Sequence, residues 1–146
     1  MASQDAILAL QKLGNIRRQL NLAAVQLLKN LGLHPKQMVM LRFVHAEKQV
    51  SLTQLANGTA TDMAAASRAI GPLIKQGWLK KVRNAEDSRC WIIQLTPKAV
   101  RKMTEVEKIY ARLADLLCES LSPRERKEFA RQLDKVSKSL TEKLPV

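Results

Sequence analysis

Aromatic residues are scarce, with two Trp, two Phe and one Tyr in 146 residues. A core built almost without them must draw on Leu, Ala, Ile, Val and Met, a palette that suits packed helices better than an aromatic-rich sandwich of strands. Cysteine is nearly missing as well. Cys90 and Cys118 are too few and too far apart for a disulfide scaffold. No apolar run approaches the roughly 18 residues of a membrane span, because polar or charged residues interrupt every stretch. The opening MASQDAILALQKLGNIRRQ lacks the basic start and small-residue cleavage site of a secretory leader. A soluble, cytoplasmic chain with no membrane partner is expected. Histidine is equally sparse: His34 and His45 sit near helix ends, neither has a Cys or second His at ligand spacing, and HxxxH, HExxH and C-x-x-C are all absent. With no Gly-rich phosphate loop and no nucleophile and base cluster either, the expectation is a protein that is not an enzyme and takes no metal or cofactor. The histidines read as caps or packed side chains.

Acids are in short supply too, 13 Asp/Glu against 25 Lys/Arg, for a net charge of +12. The excess is unevenly placed. Residues 1 to 102 hold 16 Lys/Arg and 5 Asp/Glu, whereas residues 103 to 146 hold 9 and 8. A basic region beside a balanced helical tail points to a polyanionic partner, with nucleic acid the commonest one. The one adjacent pair of acids, Glu86 and Asp87, lies between Arg83 and Arg89 in RNAEDSRCWIIQLT.

Along the chain, Ile7, Leu10, Leu13, Ile16 and Leu20 recur at helical spacing, and the pattern resumes through Val25, Leu28 and Leu31 until Gly32. One long helix is predicted, loosened near Gly14. Pro35 then suits a first helical turn, with Met38, Leu41 and Val44 on one face of a second helix. Ser51 followed by Gln54 is a capping box for a short helix closed by Gly58. After a turn of about three residues, Thr59 or Thr61 can cap the next helix, Asp62 complements its positive end, and Gly77 stops it. Two helices joined by a tight turn make a helix-turn-helix. Beyond Gly77 the period changes to two: WLKKVR opposes Trp78, Lys80 and Val82 to Leu79, Lys81 and Arg83, and CWIIQL follows after the polar connector NAEDS. Thr96 and Pro97 open a helix carrying Val100, Met103, Val106, Tyr110, Leu113 and Leu117. SPRE at 122 to 125 caps a last helix with the apolar stripe Phe129, Leu133, Val136, Leu140 and Leu144.

This order, with Asp87-Ser88-Arg89 followed by a strand and Leu95-Thr96-Pro97, resembles the multiple antibiotic resistance regulator (MarR) family of dimeric bacterial transcription regulators. The likeness runs without a gap across residues 33 to 103. It implies a mainly α fold in one MarR-like domain, residues 1 to 146. Residues 33 to 96 would form a winged helix-turn-helix, flanked by dimerisation helices at 1 to 32 and 97 to 146. In that family the wing arginine enters the minor groove, where a narrow A·T-rich groove concentrates negative potential. Arg89 fits the role. The resemblance implies that Asp87 orients a guanidinium, either that of Arg89 itself or that of Arg68, while Glu86 is a solvated turn residue. Ala64, Ala65, Ser67 and Arg68 occupy the family's major-groove positions, with Thr61 and Ser88 beside the two contact regions. Met63-Ala64-Ala65-Ala66 offers methyl groups rather than hydrogen-bonding forks, so Ser67 and Arg68 must carry most direct readout and shape readout the rest. Thr53, Gln54, Lys80, Lys81 and Arg83 are candidate phosphate contacts that position without specifying.

Pro72 inside the second helix of the pair frees the carbonyl of Arg68, so a kink is expected, with Leu73 and Ile74 still packing inward. Cys90 reads first as a buried or half-buried structural thiol, with the alternative that neighbouring Arg89 lowers its pKa for redox sensing. Cys118 is placed in the core.

The expected function is a homodimeric, sequence-specific regulator of transcription bound to double-stranded DNA, acting as a repressor. The resemblance further implies release by a small aromatic or phenolic effector between the dimerisation helices and the winged domain. A winged module for architectural DNA binding or protein contact is the alternative that the alanine-rich face favours.

Overall fold

The computed structural model describes residues 1–144; Pro145 and Val146, the end of the segment read as dimerisation helices, lie outside the described residues. Ser3 caps α1 (Gln4–Leu28) by accepting the Ala6 N–H at 3.1 Å, and the helix passes through Gly14 without a break. The loosening expected there does not occur. A single glycine costs about 1 kcal/mol relative to alanine, too little to interrupt a continuous 25-residue hydrogen-bond ladder.

A short 3₁₀ turn, Lys29–Leu31, leads to α2 (Pro35–Glu47). His34 caps this helix through Nδ1, which accepts the Lys36 N–H at 3.3 Å, and Gln37 returns its side-chain oxygen to the His34 N–H at 2.9 Å. Strand β1 (Gln49–Val50) pairs antiparallel with a later strand and was not legible as a strand in the sequence. The capping box of Ser51 and Gln54 opens α3 (Leu52–Gly58) as expected. Gly58 is set by a close approach: a Cβ there would lie 2.1 Å from the Phe43 ring. That contact seats α3 against α2.

The next helix, α4 (Met63–Lys75), continues as α-helix through Pro72. It ends where Trp78 N–H donates to Leu73 O at 2.8 Å and Gly77 adopts φ +81°, a left-handed conformation that favours glycine. Strands β2 (Leu79–Arg83) and β3 (Trp91–Leu95) follow, each starting one residue later than expected, and the sheet order is β1-β3-β2. Thr96 ties these parts together. Its hydroxyl donates to Gly77 O at 2.6 Å and accepts the Ala99 N–H at 3.1 Å, so it fastens the end of α4 and caps α5 (Pro97–Cys118) at once. Ser122 and Glu125 form the expected box at the start of α6 (Pro123–Lys143).

The fold is a winged helix-turn-helix between helical ends, with an aliphatic centre. Leu28, Met40, Leu41, Val44, Leu55, Leu73, Leu79, Ile93, Met103 and Val106 are its largest fully buried side chains. Helix α5 divides its apolar residues between two faces. Ala99, Met103, Val106 and Leu113 enter the core, while Val100 and Tyr110, expected on the same stripe, are exposed. Helix α6 buries nothing. Cys118 is half-buried rather than in the core, because its segment of α5 lies near that uncovered end. No helix among the described residues is long and apolar enough to cross a membrane.

Candidate nucleic-acid interface

Helix α4 presents its N-terminal end outward. Its cap is Asp62, whose Oδ1 accepts the Ala65 N–H at 2.7 Å, and neither Thr59 nor Thr61 takes that place. Three side-chain oxygens compete within four residues, and the backbone path decides: Thr59 turns its hydroxyl to Leu55 O and Thr61 turns its own to Thr59 O. Ala66, Ile70 and Leu73 anchor the inner face of α4, leaving Met63, Ala64, Ser67 and Arg68 exposed and Ala65 half-buried. The outer face is therefore methyl-rich, with one hydroxyl and one guanidinium.

The wing brings a second set of candidates to the same side. A groove of about 230 Å³ is lined by Thr53 from α3, Ser67 from α4, Lys81 from β2, and Cys90 with Trp91 at the start of β3. Side chains alternate along a strand, so Lys81 and Arg83 share the face of Trp91 while Lys80 lies on the opposite face. The three basic residues thus do not act as one patch. Gln54 is partly committed, since its Oε1 accepts the Ser51 N–H at 2.8 Å and only its NH₂ remains for a phosphate. Arg83 is exposed but already has partners within the wing. Its guanidinium carbon lies 4.6 Å from the Trp91 ring centroid, and Nη1 donates to Ser88 O.

At the tip, Asp87 Oδ1 accepts the Arg89 N–H at 3.1 Å and Arg89 Nε–H at 3.3 Å. Of the two partners open to Asp87, Arg89 is the one the structure joins to it; among the described residues Arg68 forms no ion pair. The Arg89 side chain is nonetheless 89% exposed, held at its root and free at its end. The Arg89 backbone N–H, then its side chain, holds the Asp87 carboxyl below its usual value. That contribution to wing order is full above the ordinary carboxylate pKa and is lost as pH falls through the depressed one.

Cys90 corrects the expectation made for it. The thiol is exposed, not buried, and its pKa is raised rather than lowered. The negative charge of Asp87 is the main cause: the sulfur sits 3.6 Å from Asp87 Oδ2, whereas Arg89 spends its charge on the same carboxylate. A thiol so placed is protonated near neutrality and slow to react. Asp87→Asn should therefore speed alkylation of Cys90 at pH 7.5, measured by mass mapping against Cys118; an unchanged rate contradicts the pairing.

Behind this surface, Arg42 of α2 links to α5, with Nε 3.0 Å from Glu107 Oε1 and its guanidinium carbon 3.4 Å from the Tyr110 ring centroid. Beside it, Arg17, Leu20, Met38, Tyr110 and Leu113 line a mostly apolar crevice of about 290 Å³ between α1, α2 and α5.

The sequence reading missed the Arg83 and Trp91 pair. Counting outward from a five-residue NAEDS turn would have set Arg83 opposite Arg89; the loop instead runs from 84 to 90 and sets it opposite Trp91.

The family model "Transcriptional regulator SarA/Rot" matches residues 24–106. The HTH-type transcriptional regulator BilQ of Clostridioides difficile is 23% identical over 119 residues, spanning 82% of this chain and 80% of BilQ. Among solved structures, a mutant of E. coli MarR complexed with operator DNA superposes with a TM-score of 0.80 at 19% identity, covering 93% of this chain and 99% of that one. Bordetella bronchiseptica BpsR, whose DNA binding is regulated by 6-hydroxynicotinic acid, gives 0.79 at 22% identity over 87% and 91%. The structural likenesses show the fold.

Proposed function

The chain belongs to the SarA/Rot family of transcriptional regulators and has the MarR winged-helix fold, and from that premise we propose that it acts as a homodimeric repressor reading a pseudo-palindromic DNA site. The observation that carries the reading is the convergence of α4 and the wing on one face, with Ser67, Lys81 and Trp91 around a shared groove and the exposed Arg89 next in sequence to Cys90 on its lining. Helix α4 enters the major groove, where Ser67 and Arg68 contact base edges and Ala64 and Ala65 meet thymine methyls. Arg89 enters the adjacent minor groove, held by Asp87. Thr53, Gln54, Thr61, Lys81 and Ser88 position the duplex through its phosphates, and Lys80, on the other face of β2, contributes less. Residues 1–32 and 97–146 supply the dimer contacts.

Lys81 faces the groove and Lys80 does not. Accordingly Lys81→Ala should weaken binding about equally for all sequences and reduce the slope of log K against log salt by about one, with a smaller change for Lys80→Ala. Salt titrations of both variants check this, and a sequence-confined loss in Lys81→Ala would contradict it.

Release by a small aromatic anion is supported by the apolar crevice beside Arg17 and Tyr110 and by the effector-regulated DNA binding of BpsR. Such a ligand acts only by favouring the DNA-incompetent spacing over the competent one. A second reading, architectural binding with little sequence preference, draws support from the methyl-rich face of α4. Selection of duplexes from a random pool by the purified protein, with and without phenolic acids, decides: an enriched inverted repeat supports the regulator, and recovery of unenriched DNA supports the architectural module.

A further inference from the structure

We propose that Arg83 and Trp91 form a brace that fixes the posture of the wing tip, so that the selectivity contributed by Arg89 depends on two residues rooted in the strands behind it. The inference rests on the DNA-reading role proposed above for the wing. Arg83 and Trp91 stand directly opposite each other in the β2 and β3 register, the last pair before the loop opens. The Trp91 residue is 42% exposed, yet it carries the Arg83 guanidinium 4.6 Å from its ring centroid and the Lys81 ammonium at 5.2 Å.

From that platform Arg83 reaches across the hairpin to donate to the carbonyl of Ser88, the residue between Asp87 and Arg89. The loop's other ties are local. Asn84 N–H donates to Cys90 O, Cys90 N–H to Asp87 O, and Glu86 N–H to Asn84 Oδ1. None of these connects the Asp87-Ser88-Arg89 tip to a side chain rooted in a strand. Arg83 supplies that connection.

The chemistry is particular to arginine. A guanidinium is flat, so it can stack one face on an indole while an edge N–H bonds a carbonyl, and its charge never titrates away. A lysine ammonium is a point charge that cannot hold both contacts in one geometry. A phosphate contact, in contrast, is served by either cation. Arg83→Lys therefore separates the brace from the phosphate-contact role that the sequence suggested for this residue.

The test uses the full chain as parent, Arg83→Lys, Trp91→Leu, the double variant, Arg83→Gln and Arg89→Ala. Amide hydrogen exchange of residues 84 to 90 is followed in the free protein, and binding to one operator with A·T or G·C flanks is measured over a range of salt. Both single variants should accelerate exchange in the loop and reduce the A·T over G·C preference by roughly 3- to 10-fold, as expected for losing about one side-chain contact. The salt slope should stay at the parental value, exchange elsewhere should be unchanged, and the double variant should be no worse than either single one. Parental loop exchange in both single variants overturns the brace. So does an Arg83→Lys variant that discriminates like the parent while Arg83→Gln lowers the salt slope, the signature of a phosphate contact. Accelerated exchange together with an A·T preference that survives even in Arg89→Ala would instead overturn the wing's reading role and leave the brace as a structural device.

Discussion

Val136→Glu combined with Leu140→Glu yields a folded monomer that binds the operator roughly 100- to 10,000-fold more weakly than the parent, the range by which joining two binding modules raises avidity. The physical reason lies in what α6 leaves bare. Val136 and Leu140 are 54% and 51% exposed, no residue of α6 is buried, and Ile7, Leu10 and Leu13 on α1 are likewise uncovered. An amphipathic helix gains stability by burying its apolar face, and here the chain's own core, which runs from Ala24 to Leu113, never reaches it. A second copy offering the same stripe would cover it at about 25 cal/mol per Å² of apolar surface removed from water. The winged region keeps its own core in the variant, so circular dichroism should still report a helical protein while sedimentation reports one chain. A variant that remains dimeric with parental affinity contradicts the assignment of these helices.

Arg89→Ala should weaken operator binding by about 1 to 3 kcal/mol and blunt the preference for A·T pairs beside the core site. The side chain is exposed along its length and fixed at one end by Asp87, so its ordering cost is partly met before DNA arrives. Its charge is exposed on the wing loop, as a contact with a narrow minor groove of strong negative potential requires. Arg89→Lys should recover part of the affinity through charge but less of the A·T preference, because the planar fork is lost. Competition assays with flank-substituted duplexes measure both quantities, and unchanged affinity at physiological salt would contradict the wing assignment.

Local chemistry was readable in the sequence, and long-range pairing was not. The boxes Ser51 with Gln54 and Ser122 with Glu125, and Pro35 and Pro97 at first helical positions, appear where expected because each is decided within four residues. Strand β1 escaped notice because two residues carry no period; only its pairing of Val50 with Ile93 makes it a strand. The stripe assigned to α5 merged two faces, since Ala99 and Val100 are neighbours in sequence but one enters the core and the other faces outward. Apolarity alone could not say which face the fold buries and which it leaves bare. At the wing, the charges of Asp87 and Arg89 were legible, but the partner of Asp87 was not, because Arg68 and Arg89 satisfy the same sequence logic. Cys90 was misplaced for a related reason: its environment is set by a carboxylate three residues back that folds onto it, not by the cation next in sequence. Arg83 shows the limit most clearly, since a strand arginine near a basic patch reads as a phosphate contact and nothing local to it announces the indole it rests on.

Hydroxyl-radical footprinting of the selected duplex tests the central claim most directly. The account predicts two protected half-sites with centres about 34 to 36 Å apart along the helix axis, each flanked by a minor-groove protection that disappears in Arg89→Ala. A single protected patch, or uniform protection along the duplex with no preferred centre, would contradict it.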